Sequence, residues 1–125
     1  MDPECVRLCA AMNLVPGIST IESCCGHGET AFRIWFVASD LEDLPPILYW
    51  FDGCHCGHSG WTITASTDCA MSPVHFMVEG PTTDNGAVAQ ADRISELLEN
   101  DNKQRIVELM DTSPGFPRLP PPPSP

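Results

Sequence analysis

The sequence predicts an α+β fold in the order α-ββα-ββα, with a four-stranded sheet and its helices packed on one face. Three observations carry that expectation. Apolar residues spaced i, i+3, i+4 and i+7 recur in three separated segments, the period of an amphipathic helix. Between those segments lie short β-rich runs that either alternate or are apolar throughout. Residues 18–52 and 61–110 also repeat one plan of strand, turn, strand and capped helix, which favours a single sheet covered by its helices.

In chain order, Asp2-Pro3 opens the first helix with a capping carboxylate and a proline at the first helical position. Cys5, Leu8, Cys9 and Met12 form its apolar stripe, and Pro16-Gly17 ends it. Residues 18–22 and 31–38 read as strands of a hairpin whose tip carries residues 25–30. Residues 32–37 are apolar on both faces, which suits a central strand. Asp40 or Asp43 caps a second helix with the stripe Leu44, Ile47, Leu48 and Phe51. Pro45-Pro46 falls in its first turn, where proline is tolerated, and Gly53 stands where a C-terminal cap belongs.

Residues 61–67 then alternate, with Trp61, Ile63 and Ala65 against Thr62, Thr64 and Ser66. A turn over residues 68–73 leads to a fourth strand with Val74, Phe76 and Val78 on one face. Thr83 or Asp84 caps the last helix, whose stripe is Ala87, Ala91, Ile94 and Leu98. A break is expected at Asn100-Asp101-Asn102, with Asp101 and Gln104 as a capping box for a short continuation through Ile106 and Met110. Residues 1–111 are thus read as one domain. Residues 112–125 are read as a proline-rich tail, extended or disordered, which could also serve as ligand for a proline-recognising groove.

The chain has 125 residues, enough for one core but not two. Seventeen acidic residues face six basic ones, a net charge of −11. That balance disfavours binding to a nucleic-acid backbone and suits a protein that engages basic surfaces. No apolar run approaches the roughly 20 residues of a membrane span, and Met-Asp-Pro-Glu does not read as a signal peptide, so a cytoplasmic location is expected. Seven cysteines, an odd number, argue against a disulfide framework in that compartment.

Two clusters hold the chemistry: Ser23-Cys-Cys-Gly-His-Gly28 and Cys54-His-Cys-Gly-His58. Counting strand and helix lengths places both at the same end of the sheet, so they are expected to converge, with Cys69 at the opposite end. Cys24 or Cys25 with His27, joined by two of Cys54, Cys56 and His58, would make a four-ligand zinc shell. No Cys-x-x-Cys spacing is present. Alternatively, Cys25 is a nucleophile paired with His27, which Glu22 or Glu29 would orient. A third reading is binding without chemistry. Backbone N–H groups at Gly26 and Gly28 would act with Glu29, Tyr49, Trp50 and His55 on a host protein or a small ligand, with Trp35 and Trp61 as further apolar walls. A homodimer is also open to such a chain.

Residues 18–28 (Ile-Ser-Thr-Ile-Glu-Ser-Cys-Cys-Gly-His-Gly), 32–36 (Phe-Arg-Ile-Trp-Phe) and 67–74 (Thr-Asp-Cys-Ala-Met-Ser-Pro-Val) resemble small proteins encoded in phage and prophage genomes. The resemblance covers about residues 5–99. It implies an accessory, partner-binding role, such as that of the anti-CRISPR inhibitors of bacterial immunity, and assigns no active site. A fainter similarity is to the tRNA methyltransferases of the third step of wybutosine synthesis. Asn13, Thr20, Ser23, Cys24 and Gly26 match their pattern, whereas Cys25 and His27 depart from it.

Overall fold

A computed structural model of the chain describes residues 2–66 and 74–112. Helix α1 (Pro3–Met12) is followed by β1 (Ile18–Cys24) and β2 (Arg33–Ala38). Two short helices, α2 (Pro45–Phe51) and α3 (Gly53–Cys56), precede β3 (Thr62–Ser66), β4 (His75–Glu79) and the long helix α4 (Ala87–Thr112). The fold is α+β, with one antiparallel four-stranded sheet in the order β1-β2-β4-β3.

Alternation along β2 and β4 builds the core. Ile34 pairs with Val78 and Phe36 with Phe76, and all four side chains are buried together. The Phe36 and Phe76 rings stack with centroids 5.3 Å apart. Onto this layer α1 brings Cys5, Leu8, Cys9 and Met12, α2 brings Ile47 and Phe51, and α4 brings Ala87, Ala91, Ile94 and Leu98. These are the apolar stripes expected from periodicity, save that Leu48 is 49% exposed. Trp35 and Met77 pair on the other face and are only half-buried. The turn over residues 68–73, with Cys69, lies outside the described residues.

Helix α4 does not break at Asn100. It runs unbroken for 26 residues, because Asn and Asp each cost a helix interior only a few tenths of a kcal/mol while a second helix would need a new nucleus. Arg105 lies 3.4 Å from Asp101 one turn earlier, and Glu99 is held by Arg7 of α1 at 2.9 Å. The cap expected at Gly53 also shifts. Asp52 accepts a hydrogen bond from the Cys54 N–H and starts α3 at Gly53, and Gly57, with φ of 84°, closes it.

Aromatic packing joins the two connections at one end of the sheet. Phe32 sits edge-on to Trp61 at 5.6 Å, Phe51 lies 5.7 Å from the same indole, and Trp61 Nε1 donates to Gln90 Oε1 at 2.9 Å. Gly80 faces that indole so closely that a Cβ there would stand 2.6 Å from it. Since Trp61 is fixed on its other sides, Gly80→Ala is expected to destabilise the fold by about 1–3 kcal/mol, read as a lower urea midpoint with an unchanged slope.

Candidate functional site

The register decides how the Cys/His clusters relate. Cys24 pairs with Arg33, Arg33 with Glu79, and Glu79 with Thr62, one row across the end of the sheet. The hairpin tip after Cys24 and the loop before Thr62 are therefore at the same end, as strand direction required. They are at opposite edges, however, because β2 and β4 lie between β1 and β3. Three strand spacings of about 4.8 Å keep them roughly 14 Å apart across the sheet.

The second cluster does not converge even on itself. Residues 54–56 lie on the single turn α3, where successive side chains point about 100° apart. Cys54 is exposed. His55 stacks on Tyr49 with ring centroids 3.6 Å apart and turns Nδ1 to the Tyr49 carbonyl at 3.0 Å. Cys56 is buried, its thiol donating to the His58 carbonyl at 3.4 Å. Among the described residues, Cys54, Cys56 and His58 are not grouped with Cys24, Cys25 and His27 as candidate ligands.

The hairpin tip is organised differently. Gly26 takes φ of 81° and His27 φ of 52°, two successive left-handed residues inside the 3-10 turn Gly26–Gly28. For histidine that conformation costs about 1–2 kcal/mol. It brings His27 Nε2 to 3.8 Å from Asp2 Oδ2 and Nδ1 to 3.8 Å from Cys25 Sγ. The Cys25 N–H donates to Asp2 Oδ2 at 3.0 Å, the Gly26 N–H to Cys24 Sγ at 3.4 Å, and the His27 N–H to Cys25 Sγ at 3.4 Å. Glu29 is exposed.

Asp2, Cys24 and His27 thereby form the one group of three metal-type ligands among the described residues, with donor atoms within 4.8 Å of one another. Ligands at 2.0–2.3 Å around a tetrahedral ion are separated by about 3.3–3.8 Å, so a small closure of the turn would seat a cation. Asp2 is the member that sequence reasoning missed. At the N-cap of α1 its side chain makes no capping bond. The signal was in the lengths. After Pro16-Gly17 the chain reverses, and a seven-residue strand of about 23 Å overtakes a ten-residue helix of about 15 Å. The end of β1 must return to the start of α1.

The electrostatics oppose a thiolate. The Cys25 thiol receives the His27 N–H, which favours ionisation. Burial, the hydrogen bond with Asp2 and the Asp2 and Glu4 charges outweigh it and push the thiol up. Asp2 is held below its usual range, first by the Cys25 N–H and then by the Cys25 thiol. Desolvation also raises Cys9, and raises Cys5 from 9.0 to about 11. Nucleophilic catalysis by Cys25 with His27 thus has the wrong charge environment. Asn13 and Thr20 have a structural task. The Thr20 N–H donates to Asn13 Oδ1 at 2.9 Å and Asn13 Nδ2 to Thr20 Oγ1 at 3.0 Å, tying α1 to β1.

Two measurements check this geometry. With chelator present, His27→Gly is expected to stabilise the fold by about 0.5–1 kcal/mol, since glycine takes φ of 52° without strain; a loss of stability would show that the imidazole contacts outweigh the strain. Burial raises the Cys5 thiol from 9.0 to about 11, so the stability its neutral form contributes is present below pH 9.0 and lost as pH rises through about 11; Cys9 and Cys25, raised likewise, act in the same direction. Urea midpoints should therefore fall between about pH 9 and about pH 11, and Cys5→Ala should flatten that slope.

Comparison with protein-family models, with curated proteins and with solved structures returns no match.

Proposed function

We propose that this chain is a phage-type accessory protein that binds and inhibits a host factor, in the manner of an anti-CRISPR inhibitor of bacterial immunity, and performs no chemistry on it. The observation that carries this reading is the surface of residues 40–52. There Leu41, Leu48 and Tyr49 are 73%, 49% and 47% exposed, in a stretch that also carries Asp40, Glu42, Asp43 and Asp52. Exposed large apolar side chains framed by charge have the anatomy of a binding surface, an apolar centre with a polar rim. An acidic frame on a chain of net charge −11 selects a partner with a basic face, including one that itself holds nucleic acid. The raised Cys25 thiol supports a binding role over a thiol enzyme. No helix among the described residues is long and apolar enough to cross a membrane.

A second element of the reading concerns zinc. Asp2, Cys24 and His27 supply oxygen, sulfur and nitrogen, a donor set that suits zinc with one position open. An ion there would pin the hairpin tip to the start of α1. That open position is also what would favour a metal-dependent or small-ligand-binding alternative over a partner inhibitor. The purified protein should carry about one zinc per chain by native mass spectrometry, lost in Cys24→Ser and retained in Cys56→Ser.

The partner reading is tested by capture from host lysate, identification of the captured protein and reconstitution from pure components. Leu48→Asp is expected to weaken that binding at least tenfold, and the wild-type chain to block the partner's own activity. If no protein is captured while nucleotides raise the melting temperature, the small-ligand reading replaces it.

A further inference from the structure

Helices α2 and α4 enclose a groove of about 400 Å³, with Pro45, Pro46, Tyr49 and Trp50 on one wall and Asp101 and Arg105 on the other. The Tyr49 and Trp50 rings meet edge to face with centroids 4.7 Å apart, so the aromatic wall presents two differently angled surfaces. Opposite it, the Arg105 guanidinium is incompletely satisfied. Its Nε is 3.4 Å from Asp101 Oδ2, an ion-pair distance without hydrogen-bond geometry, and neither Nε nor Nη2 has a hydrogen-bond partner although both atoms are buried. A buried donor left without an acceptor costs about 1–3 kcal/mol. The groove therefore suits a ligand with flat apolar rings and outward-facing carbonyl oxygens.

A polyproline-II segment has that chemistry. It makes no internal hydrogen bonds, so its carbonyls are free, and its pyrrolidine rings pack against tyrosine and tryptophan. Beyond the described residues the sequence has that composition: Pro114, Pro117, the run Pro120-Pro121-Pro122-Pro123, and Pro125. We propose that the tail folds back and seats residues 117–123 in the α2–α4 groove of its own chain.

The reach is sufficient. Helix α4 ends at Thr112, seven residues beyond Arg105 and eleven beyond Asp101, or about 10 Å and 16 Å along its axis. The arrangement needs a reversal over residues 113–116, whose sequence Ser-Pro-Gly-Phe has the composition of a turn. Seven residues of polyproline II then span about 22 Å, enough to pass both side chains antiparallel to α4. Arg118 is the one charged side chain of residues 113–125; entering second, it stays near the Thr112 end of the groove, and the carbonyls that reach Arg105 are those of the proline run. Tethering makes the encounter intramolecular, with an effective concentration on the order of millimolar. The seated tail would cover Tyr49 and leave Leu41 and Leu48 to the host-factor surface; the peptide titration below tests the first and capture from host lysate the second.

The test uses the full chain with Pro120, Pro121, Pro122 and Pro123 all replaced by serine, titrated calorimetrically with a synthetic peptide of residues 114–125. The peptide is expected to bind this variant, and to bind the wild-type chain at least tenfold more weakly because the native tail competes. Adding Trp50→Ala to the serine-tail variant should weaken binding at least tenfold. Arg105→Gln, a milder change on the other wall, should weaken it about threefold even if Trp50→Ala does not fold. Failure of the peptide to bind the serine-tail variant overturns the proposal. Equal binding to wild-type and variant chains also overturns it, leaving the groove open to another protein's polyproline segment. A native mass of two chains that falls to one in the serine-tail variant overturns the intramolecular arrangement in favour of a second copy.

Discussion

Where β2 pairs with β4, Ile34 lies opposite Val78 and Phe36 opposite Phe76. Those four side chains form the floor on which the helices rest. This non-local pairing also sets the lateral order of the sheet, β1-β2-β4-β3, and thereby the address of every loop. It puts the β1–β2 hairpin tip on one edge and the approach to β3 on the other. Phe32, Trp61 and Phe51 pack between the two connections. Two loops rich in cysteine and histidine are thus kept apart by the same packing that stabilises the end of the sheet.

That separation changes what each cluster is for. The residues of α3 are largely absorbed by packing: His55 lies on Tyr49 and Cys56 is buried against the backbone of His58. The hairpin tip keeps its chemistry because α1 begins beside it. Asp2 holds the Cys25 N–H, and the left-handed backbone at His27 turns the imidazole back towards the same carboxylate. Backbone strain at a non-glycine residue persists only where its surroundings over-determine it, and it is commonest at functional sites. Acidic neighbours and burial keep the Cys25 thiol protonated, so the tip is better suited to holding a ligand than to attacking one.

Much of the fold was legible from the sequence. The stripes Cys5-Leu8-Cys9-Met12 and Ala87-Ala91-Ile94-Leu98 are buried as their period required, and residues 33–37 of the apolar run do occupy a central strand. Misreadings arose where a local rule met a longer-range gain. Asn100-Asp101-Asn102 carries a capping-box pattern, yet a restarted helix would need a new nucleus, and the helix continues. Gly53 has the composition of a cap, yet Asp52 restarts a turn there and Gly57 takes the left-handed position. At the candidate site, Cys24 and His27 were visible as ligand types. Asp2 was visible only as a helix cap, because its partnership with Cys25 spans 23 residues.

The sequence by itself determined the element types, the inward face of each helix and the end of the sheet that carries both Cys/His clusters. All of these follow from side-chain period, caps and the rise per residue of helix and strand. Only the tertiary structure decided which strands are neighbours, and so which ligands meet. Insertion of β4 between β2 and β3 depends on Ile34–Val78 and Phe36–Phe76 contacts more than 39 residues apart, which no local pattern encodes. The return of β1 to the start of α1 made Asp2 the third member of the hairpin-tip cluster. The apposition of α2 and α4 likewise left Arg105 facing Tyr49 and Trp50 across a groove.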